Sequence, residues 1–346
     1  MFHFFYVLHN AVSAVSWAIP ARRTVQGLQG ENKNMSNTSN TQDYAIVVHG
    51  GAGSPRDYDD GCRHAAQRAV EELGISADAL EAAIAAVVAM EDDGRFNAGR
   101  AVQAQHGTAA GIETAVEMDA SIMDTRGRLG AVACVQGVKN PVLLARAVAE
   151  TPHWLLAGDG AARFAAAIGH PAHTGISSHQ RAAHEKVVRE LAGRVPAMPG
   201  ISPEAKAFMR FWNFQTPLDL PAHAACDTVG AVVRGPDGHF AVALSTGGSA
   251  PSLLGRVGDT PIIGSGFYAG PAGAVAATGI GEQIVRHLLA RTVYGWIEDG
   301  MPLAQALKRG VDLFDTKVPV GLIAVSRAEA DSYSNQDMPH ARIVAS

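Results

Sequence analysis

The chain has 346 residues, 47% of them apolar and 18% charged, which is enough to bury a core in one large domain or two ordinary ones. It is too apolar and too sparsely charged to be disordered, and a net charge of -5 leaves no footprint for general nucleic-acid binding. Its longest apolar stretches are broken by polar residues or built from alanine, so none reads as a membrane span.

The first 19 residues (MFHFFYVLHNAVSAVSWAI) look like a signal-peptide core, but no Lys or Arg precedes them and the first basic pair is Arg22-Arg23. Ser16-Trp17-Ala18 is a weak cleavage pattern, and the polar stretch ENKNMSNTSNTQ offers Met35 as another start. Residues 1–43 are therefore read as a disordered leader or mis-called start, and the protein as cytoplasmic. Export is the alternative, if residues 1–18 act as a signal peptide.

Tyr44–Val48 is a continuous apolar run entering the glycine turn His49-Gly-Gly-Ala-Gly53, the pattern of a buried strand. Helices are expected over Cys62–Leu73 and Asp78–Met90. An Asp78/Glu81 capping box opens the second, with Leu80, Ile84, Val87 and Val88 on its apolar face. Strands follow at Thr114–Met123 and Gly130–Val135, then a helix at Pro141–Glu150 with proline in its first turn. From about Ile168 to Ala225 the sequence reads as a linker, with helices only at Gln180–Leu191 and Pro203–Trp212. His170, His173, His179 and His184 lack HExxH spacing or a carboxylate partner, so a solvated linker is preferred there to a zinc site.

Strands at Thr228–Arg234 and His239–Thr246 flank Gly-Pro-Asp-Gly, a hairpin signal. Helices at Thr278–Val293 and Leu303–Phe314 and strands at Val320–Ser326 and Ala341–Ala345 complete the chain. This order fits sheets packed on each other with helices outside, rather than a strictly alternating parallel fold. Cys62, Cys134 and Cys226 are far apart and form no CxxC pair, which argues against a disulfide framework and suits a reducing compartment.

Four glycine-bearing segments place backbone amides at the ends of predicted elements: His49–Gly53, Phe96–Gly99, Ser245–Gly248 and Gly255–Asp259. Gly264–Gly270 and Gly158–Gly160 lack GxGxxG spacing, and no GxxxxGK[ST] phosphate loop is present. The decisive segment is Cys226-Asp-Thr-Val-Gly-Ala-Val232, in which Thr228 opens a strand straight after the linker. An internal threonine hydroxyl is a poor nucleophile. Cleavage of the chain before Thr228 would give it a free α-amine, with pKa near ~7.7–8.0, to serve as its base.

In company this segment carries a resemblance. Thr228, then Thr246 in Ser-Thr-Gly-Gly eighteen residues later, then Gly-Arg-Val-Gly-Asp259, resembles the plant-type asparaginase and isoaspartyl peptidase family of N-terminal-nucleophile hydrolases. The likeness continues in His49-Gly-Gly-Ala-Gly53, Phe96-Asn-Ala-Gly-Arg100, Met118-Asp-Ala-Ser-Ile-Met123, Val138-Lys-Asn-Pro141 and Thr278-Gly-Ile-Gly-Glu282, and it spans roughly residues 44–326. It implies an α+β fold, a four-layer αββα sandwich. It also implies a single hydrolase domain over 44–346, self-cleaved between Asp227 and Thr228 into 44–227, with the linker from about 168, and 228–346.

By the same resemblance Thr228 is the nucleophile, and Thr246 orients its amine. Arg256 binds the substrate α-carboxylate and Asp259 the α-ammonium. Thr278 and Gly279 form the oxyanion pair, Gly281 lines the same pocket, and Asn97 lies close to the nucleophile. No catalytic cofactor is implied. A structural sodium ion would be held by main-chain carbonyls of Met90, Glu91, Asp93, Phe96, Ala98 and Arg100. The implied partners are a small-molecule substrate and a second αβ unit in a dimer, with no nucleic acid or membrane.

Three features depart from the family pattern. Asp227 stands where the plant-type branch usually has glycine, and Asp-Thr is similar to glycosylasparaginase and the threonine aspartase branch; a carboxylate at that position could assist the acyl shift of self-cleavage. Ala101–Gly111 replaces a short Gly-Ser-Val loop, and the stretch between Tyr268 and Thr278 is about one residue short. The activity so implied is hydrolysis of β-aspartyl dipeptides and of the L-asparagine side-chain amide, releasing aspartate. Glycosylasparaginase is the enzymatic alternative, and a degenerate amino-acid-binding module the non-enzymatic one.

Overall fold

The computed structural model describes residues 43–98, 117–173, 228–248 and 252–345. The leader, the helices expected at Gln180–Leu191 and Pro203–Trp212, the Ala101–Gly111 loop, Arg100, His179, His184, Cys226 and Asp227 lie outside these residues.

Among the described residues eleven strands form two sheets. The larger contains β1 (Tyr44–His49), β2 (Met118–Asp124), β3 (Leu129–Val135), β4 (Leu155–Ala157), β5 (Val229–Arg234), β6 (Phe240–Thr246) and β11 (His340–Ala345). Its order is β11-β1-β5-β6-β2-β3-β4. The smaller contains β7 (Phe267–Gly270), β8 (Gly273–Gly279), β9 (Val320–Ser326) and β10 (Ala330–Ser334), ordered β10-β9-β8-β7. Every ladder is antiparallel except β3–β4. Seven α-helices accompany them among the described residues: α1 (Asp59–Ser76), α2 (Ala79–Asp93), α3 (Pro141–Val148), α4 (Gly158–Ala167), α5 (Gly281–His287), α6 (Leu289–Glu298) and α7 (Leu303–Val311).

The central strands are apolar almost throughout because both of their faces are covered. On β1, Ile46 and Val48 join a core with Leu80, Ala83 and Val87 of α2, while Ala45 and Val47 face a second core. That second core lies between the sheets, where Val232, Val242 and Leu244 meet Phe267, Ala276, Ile323 and Val325. On β8 and β9, Val275, Ala277, Leu322 and Ala324 turn the other way, onto Leu289, Val293 and Leu307 of α6 and α7. The alternation of successive side chains explains why each strand reads as an unbroken apolar run.

Most expected elements are present within a few residues, and the β5–β6 hairpin closes as its sequence foretells, with Gly238 N–H donating to the Gly235 carbonyl at 2.9 Å. Three readings need correction. The expected helix at Thr278–Val293 begins too early: Thr278 and Gly279 pair with Gly321 and Val320 as the end of β8, and Leu288 at φ +44° divides the remainder into α5 and α6. The capping box is only half formed. Asp78 accepts N–H bonds from Leu80 and Glu81, but the Asp78 N–H goes to Ser76 Oγ and Glu81 binds Arg146 instead. Finally, Gly158-Asp-Gly160 opens α4 behind the three-residue β4, and neither element was expected. Among the described residues no helix is long and apolar enough to cross a membrane.

Candidate active site

Three adjacent strand ends build the floor of the site. Val229 of β5 pairs with Ser245 of β6, and Thr246 pairs with Asp119 of β2. Thr228, one residue ahead of Val229, therefore lies across from Thr246, and their hydroxyls are hydrogen-bonded at 3.2 Å. Both threonines are buried, at 5% and 4% exposure. Thr246 Oγ1 also accepts the Gly248 N–H at 3.1 Å. Asn97 secures that turn from two sides: its Nδ2 donates to the Gly248 carbonyl at 2.7 Å, and its own carbonyl accepts the Gly247 N–H at 2.9 Å.

His49, at the end of β1, is paired with Gly230 and wholly buried. Burial drives its pKa down to about 3, and the adjacent main chain of Thr228 offsets only part of that effect. The imidazole is therefore neutral. The glycine turn that follows carries the Ala52 N–H to Thr278 Oγ1 at 3.2 Å and is itself anchored by Gly50 N–H to the Pro339 carbonyl at 2.8 Å. Because Thr278 Oγ1 accepts that bond, its own proton remains available to donate elsewhere. Next to it, Gly279 sits at φ +144°, and a Cβ there would lie 2.3 Å from the Pro319 carbonyl oxygen, so only glycine fits.

The charged end of the site is built on the 252–260 loop and the start of α5. Arg256 makes a two-pronged contact with Glu282, Nε to Oε1 and Nη2 to Oε2, both at 2.8 Å. Burial pulls the guanidinium pKa down, but the Glu282 carboxylate outweighs it and holds the value above normal. Burial likewise pushes Glu282 upward, and Arg256 reverses the sign and leaves its carboxyl below normal. Asp259 is 3% exposed, and its Oδ2 has no hydrogen-bond partner. Burial raises its pKa to about 7 despite the nearby Arg256. A Cβ on Gly281 would lie 3.0 Å from both Arg256 Nη2 and Asp259 Oδ1, so the missing side chain leaves space between the two charges.

Two further acids support this loop. The β2–β3 register shifts between Met118 and Ala120, and Cys134 opposite takes φ +50°. That irregularity turns the Cys134 N–H onto Asp119 Oδ1 at 2.8 Å, and burial raises the Asp119 pKa to about 6. Glu117 Oε2 accepts the Gly255 N–H at 2.7 Å. Asp119, Glu117 and Glu282 were not singled out as site residues, although Asp119 and Glu282 stand inside quoted motifs. A carboxylate at the start of an apolar strand was the available signal for Asp119.

Of the main-chain sodium candidates, Met90, Glu91 and Asp93 lie in the last turn of α2, where carbonyls lack intrahelical donors, and Gly94 ends the helix at φ +80°. This fits a cation held by main-chain oxygens, although the Phe96 carbonyl already accepts the Ala98 N–H at 2.9 Å. The side chains are otherwise engaged. Asp93 binds Arg95, and the buried Glu91 carboxyl, raised to about 7 by burial, accepts the Val142 N–H at 3.2 Å. Of the histidines, His170 Nε2 lies 2.6 Å from the Lys139 carbonyl and His173 N–H donates to the Gly137 carbonyl.

The geometry thus brings Thr228, Thr246 and Asn97 into one group and Arg256, Asp259 and Gly281 into another, while Thr278 and Gly279 continue directly into Gly281. Residues 42–341 match the family model described as asparaginase. The chain is 37% identical over 311 residues to a plant-type L-asparaginase of Pyrobaculum calidifontis, covering 85% of this chain and 94% of that one. It is also 37% identical over 293 residues to the isoaspartyl peptidase/L-asparaginase of Homo sapiens, covering 82% and 86%. A plant-type L-asparaginase of Pyrococcus abyssi is 36% identical over 282 residues, covering 78% and 84%. With a family match over most of its length and relatives at this level of identity, the chain belongs to the asparaginase family.

Proposed function

We propose that this protein is a self-cleaved threonine hydrolase that acts on β-aspartyl dipeptides and on the side-chain amide of L-asparagine, releasing L-aspartate. The observation that carries this reading is the hydroxyl pair Thr228–Thr246 at the head of β5, together with Arg256 and the buried Asp259. Cleavage after Asp227 frees the Thr228 amine. That amine takes the Oγ proton as Oγ attacks the β-acyl carbon, with Thr246 orienting it. Thr278 and Gly279 stabilise the tetrahedral oxyanion. The ammonium formed on Thr228 returns its proton to the leaving ammonia or amine, and water then releases aspartate from the acyl-enzyme. Asn97 holds the Gly247–Gly248 turn beneath Thr246.

Arg256 and Asp259 recognise the carboxylate and ammonium of one α-carbon, with Gly281 leaving room for it. An α-linked aspartyl peptide has no free α-carboxylate, so it would leave the Arg256 donors not taken by Glu282 without an acceptor. The remaining parts of the reading are a four-layer αββα arrangement, a single domain over 44–346 cut into 44–227 and 228–346, a dimer of such units, and a cytoplasmic setting. The carbonyls of Met90, Glu91, Asp93, Phe96, Ala98 and Arg100 are assigned to a structural sodium ion, and the last of these lies outside the described residues.

A denaturing gel with N-terminal sequencing should give a small fragment starting at Thr228. On that preparation kcat/KM is measured for β-Asp-Leu, α-Asp-Leu, L-asparagine and N-acetylglucosaminyl-asparagine. Comparable rates on the α- and β-linked peptides would refute the clamp. Asp227 favours the glycosylasparaginase reading, and a dominant rate on the glycosylated substrate would establish it instead.

A further inference from the structure

An arginine that receives a substrate carboxylate is useful only if its guanidinium is held still and presents the right edge. The group has five N–H bonds arranged on three edges. In this site Glu282 takes the Nε–H and one Nη2–H, through two contacts of 2.8 Å. One two-pronged edge is left, formed by Nη1 and the second Nη2 proton. Two glycines leave room around this end of the guanidinium. A Cβ on Gly258 would lie 3.0 Å from Arg256 Nη1, and a Cβ on Gly281 would lie 3.0 Å from Nη2. The Gly281 position is also 3.0 Å from Asp259 Oδ1, so the arginine and the Asp259 carboxylate border a common volume.

Glu282 follows Gly281 in the first turn of α5, so the residue that makes room for the substrate and the residue that holds the arginine are covalent neighbours. The loop side of Arg256 is fixed separately. Glu117 holds the Gly255 N–H at 2.7 Å, and the Arg256 carbonyl lies 3.7 Å from Cys134 Sγ. Backbone and guanidinium are thus secured from different elements, and Glu282 is the side chain that fixes which edge points inward.

We propose that Glu282 is a positioning residue for substrate recognition: it locks Arg256 through the Nε/Nη2 edge and so dedicates the Nη1/Nη2 edge to the substrate α-carboxylate. This rests on the function proposed above. Glu282 does not touch the reacting atoms. Its removal is expected to weaken carboxylate recognition while leaving the chemistry at Thr228 in place, which separates KM from kcat.

The test uses the self-cleaved enzyme. Glu282→Ala should raise KM for L-asparagine at least about tenfold, with kcat changed less than about threefold. Inhibition by L-aspartate should weaken in parallel, while inhibition by β-alanine, which lacks the α-carboxylate, should be unchanged. Glu282→Gln, which keeps the shape and one acceptor oxygen, should fall between wild type and Glu282→Ala. It serves alone if thermal melting shows that the alanine variant is unfolded. In an Arg256→Ala background, loss of Glu282 should cost no further affinity, because its effect runs through the arginine.

Equal weakening of L-aspartate and β-alanine, or additive losses in the double variant, would overturn the assignment. So would wild-type KM in both Glu282 variants of an active enzyme, and that result would leave the proposed function standing. A wild-type protein inert toward both L-asparagine and β-aspartyl dipeptides would bring down the proposed function, and this assignment with it.

Discussion

The two halves of the site are built from opposite materials. Around Thr228 lie the Thr246 hydroxyl, the glycine turn that Asn97 holds and a buried imidazole that burial keeps neutral. Around Arg256 stand Glu282, Asp259 and Asp119, an excess of acid over base in which Asp259 and Asp119 are buried. The neutral half holds its two threonines through hydroxyl and main-chain amide contacts. The charged half can discriminate, because a ligand that fails to match it leaves buried charge unpaired. Chemistry and recognition are thereby separable, and substitutions in each half should show different signatures.

The largest effect belongs to the neutral half. Thr228→Ala should lower kcat by at least about a thousandfold and leave the chain full length on a denaturing gel. A variant that is uncut yet active would dissolve the distinction between the halves. In the charged half, Arg256→Ala should lower kcat/KM by roughly 30- to 1,000-fold while cleavage proceeds, since cleavage needs no substrate carboxylate. Arg256→Lys should recover little, because a point charge cannot both hold Glu282 and offer a two-pronged edge. Recovery of wild-type kcat/KM in the lysine variant would show that the edge geometry is irrelevant.

A milder effect is expected from Thr246→Val, which removes the hydroxyl bonded to Thr228. It should reduce kcat about 10- to 100-fold with KM little changed, read from steady-state kinetics. The pH dependence sharpens the comparison further. The Asp259 carboxyl is raised to about 7 by burial, so it is ionised above that pH and protonated below it. It faces Arg256, Glu282 and Asp119, and only its ionised form attracts an ammonium. KM for L-asparagine should therefore rise as pH falls below about 7, by up to about tenfold per unit. A KM flat from pH 5.5 to 8.5 would remove Asp259 from ammonium binding.

The smallest effect lies outside both halves. Asp78→Ala removes the cap of α2 and a partner of Arg128, whose Nη2 contacts both Asp78 oxygens at 2.7 and 2.8 Å. It should cost about 0.5–2 kcal/mol in denaturant unfolding with kcat unchanged.

What was legible in the sequence was local. The β5–β6 hairpin announces itself by Asp-Gly between apolar runs, and α2 by an acidic cap before an amphipathic repeat. Strands β7 and β8 were missed because Phe-Tyr-Ala-Gly is only four residues long and Gly-Ala-Val-Ala-Ala-Thr-Gly is built from small residues that fit either period. The start of α5 was misplaced because its N-cap is Ile280, which offers no side-chain bond to mark it. The supporting acids were hidden for a different reason. Asp119 matters because β2 happens to lie beside β6, and Glu282 because the 252–260 loop folds back onto α5. Neither pairing is encoded in a neighbouring residue, so residue type alone could not distinguish these acids from surface charges.

The order of strands in the larger sheet has one more consequence. Reading across it, β11 comes from the carboxyl end, β1 from the amino end, β5 and β6 from after residue 227, and β2 to β4 from before it. A cut ahead of Thr228 would therefore sever a thread inside a woven cloth. The two pieces alternate as warp and weft, joined along β11–β1, β1–β5 and β6–β2, and although the smaller sheet lies wholly in the later piece, the larger sheet cannot form from either piece alone. Such a product is a permanent pair by construction. Its halves should part only when the whole fabric unravels, so that separation and unfolding become a single event.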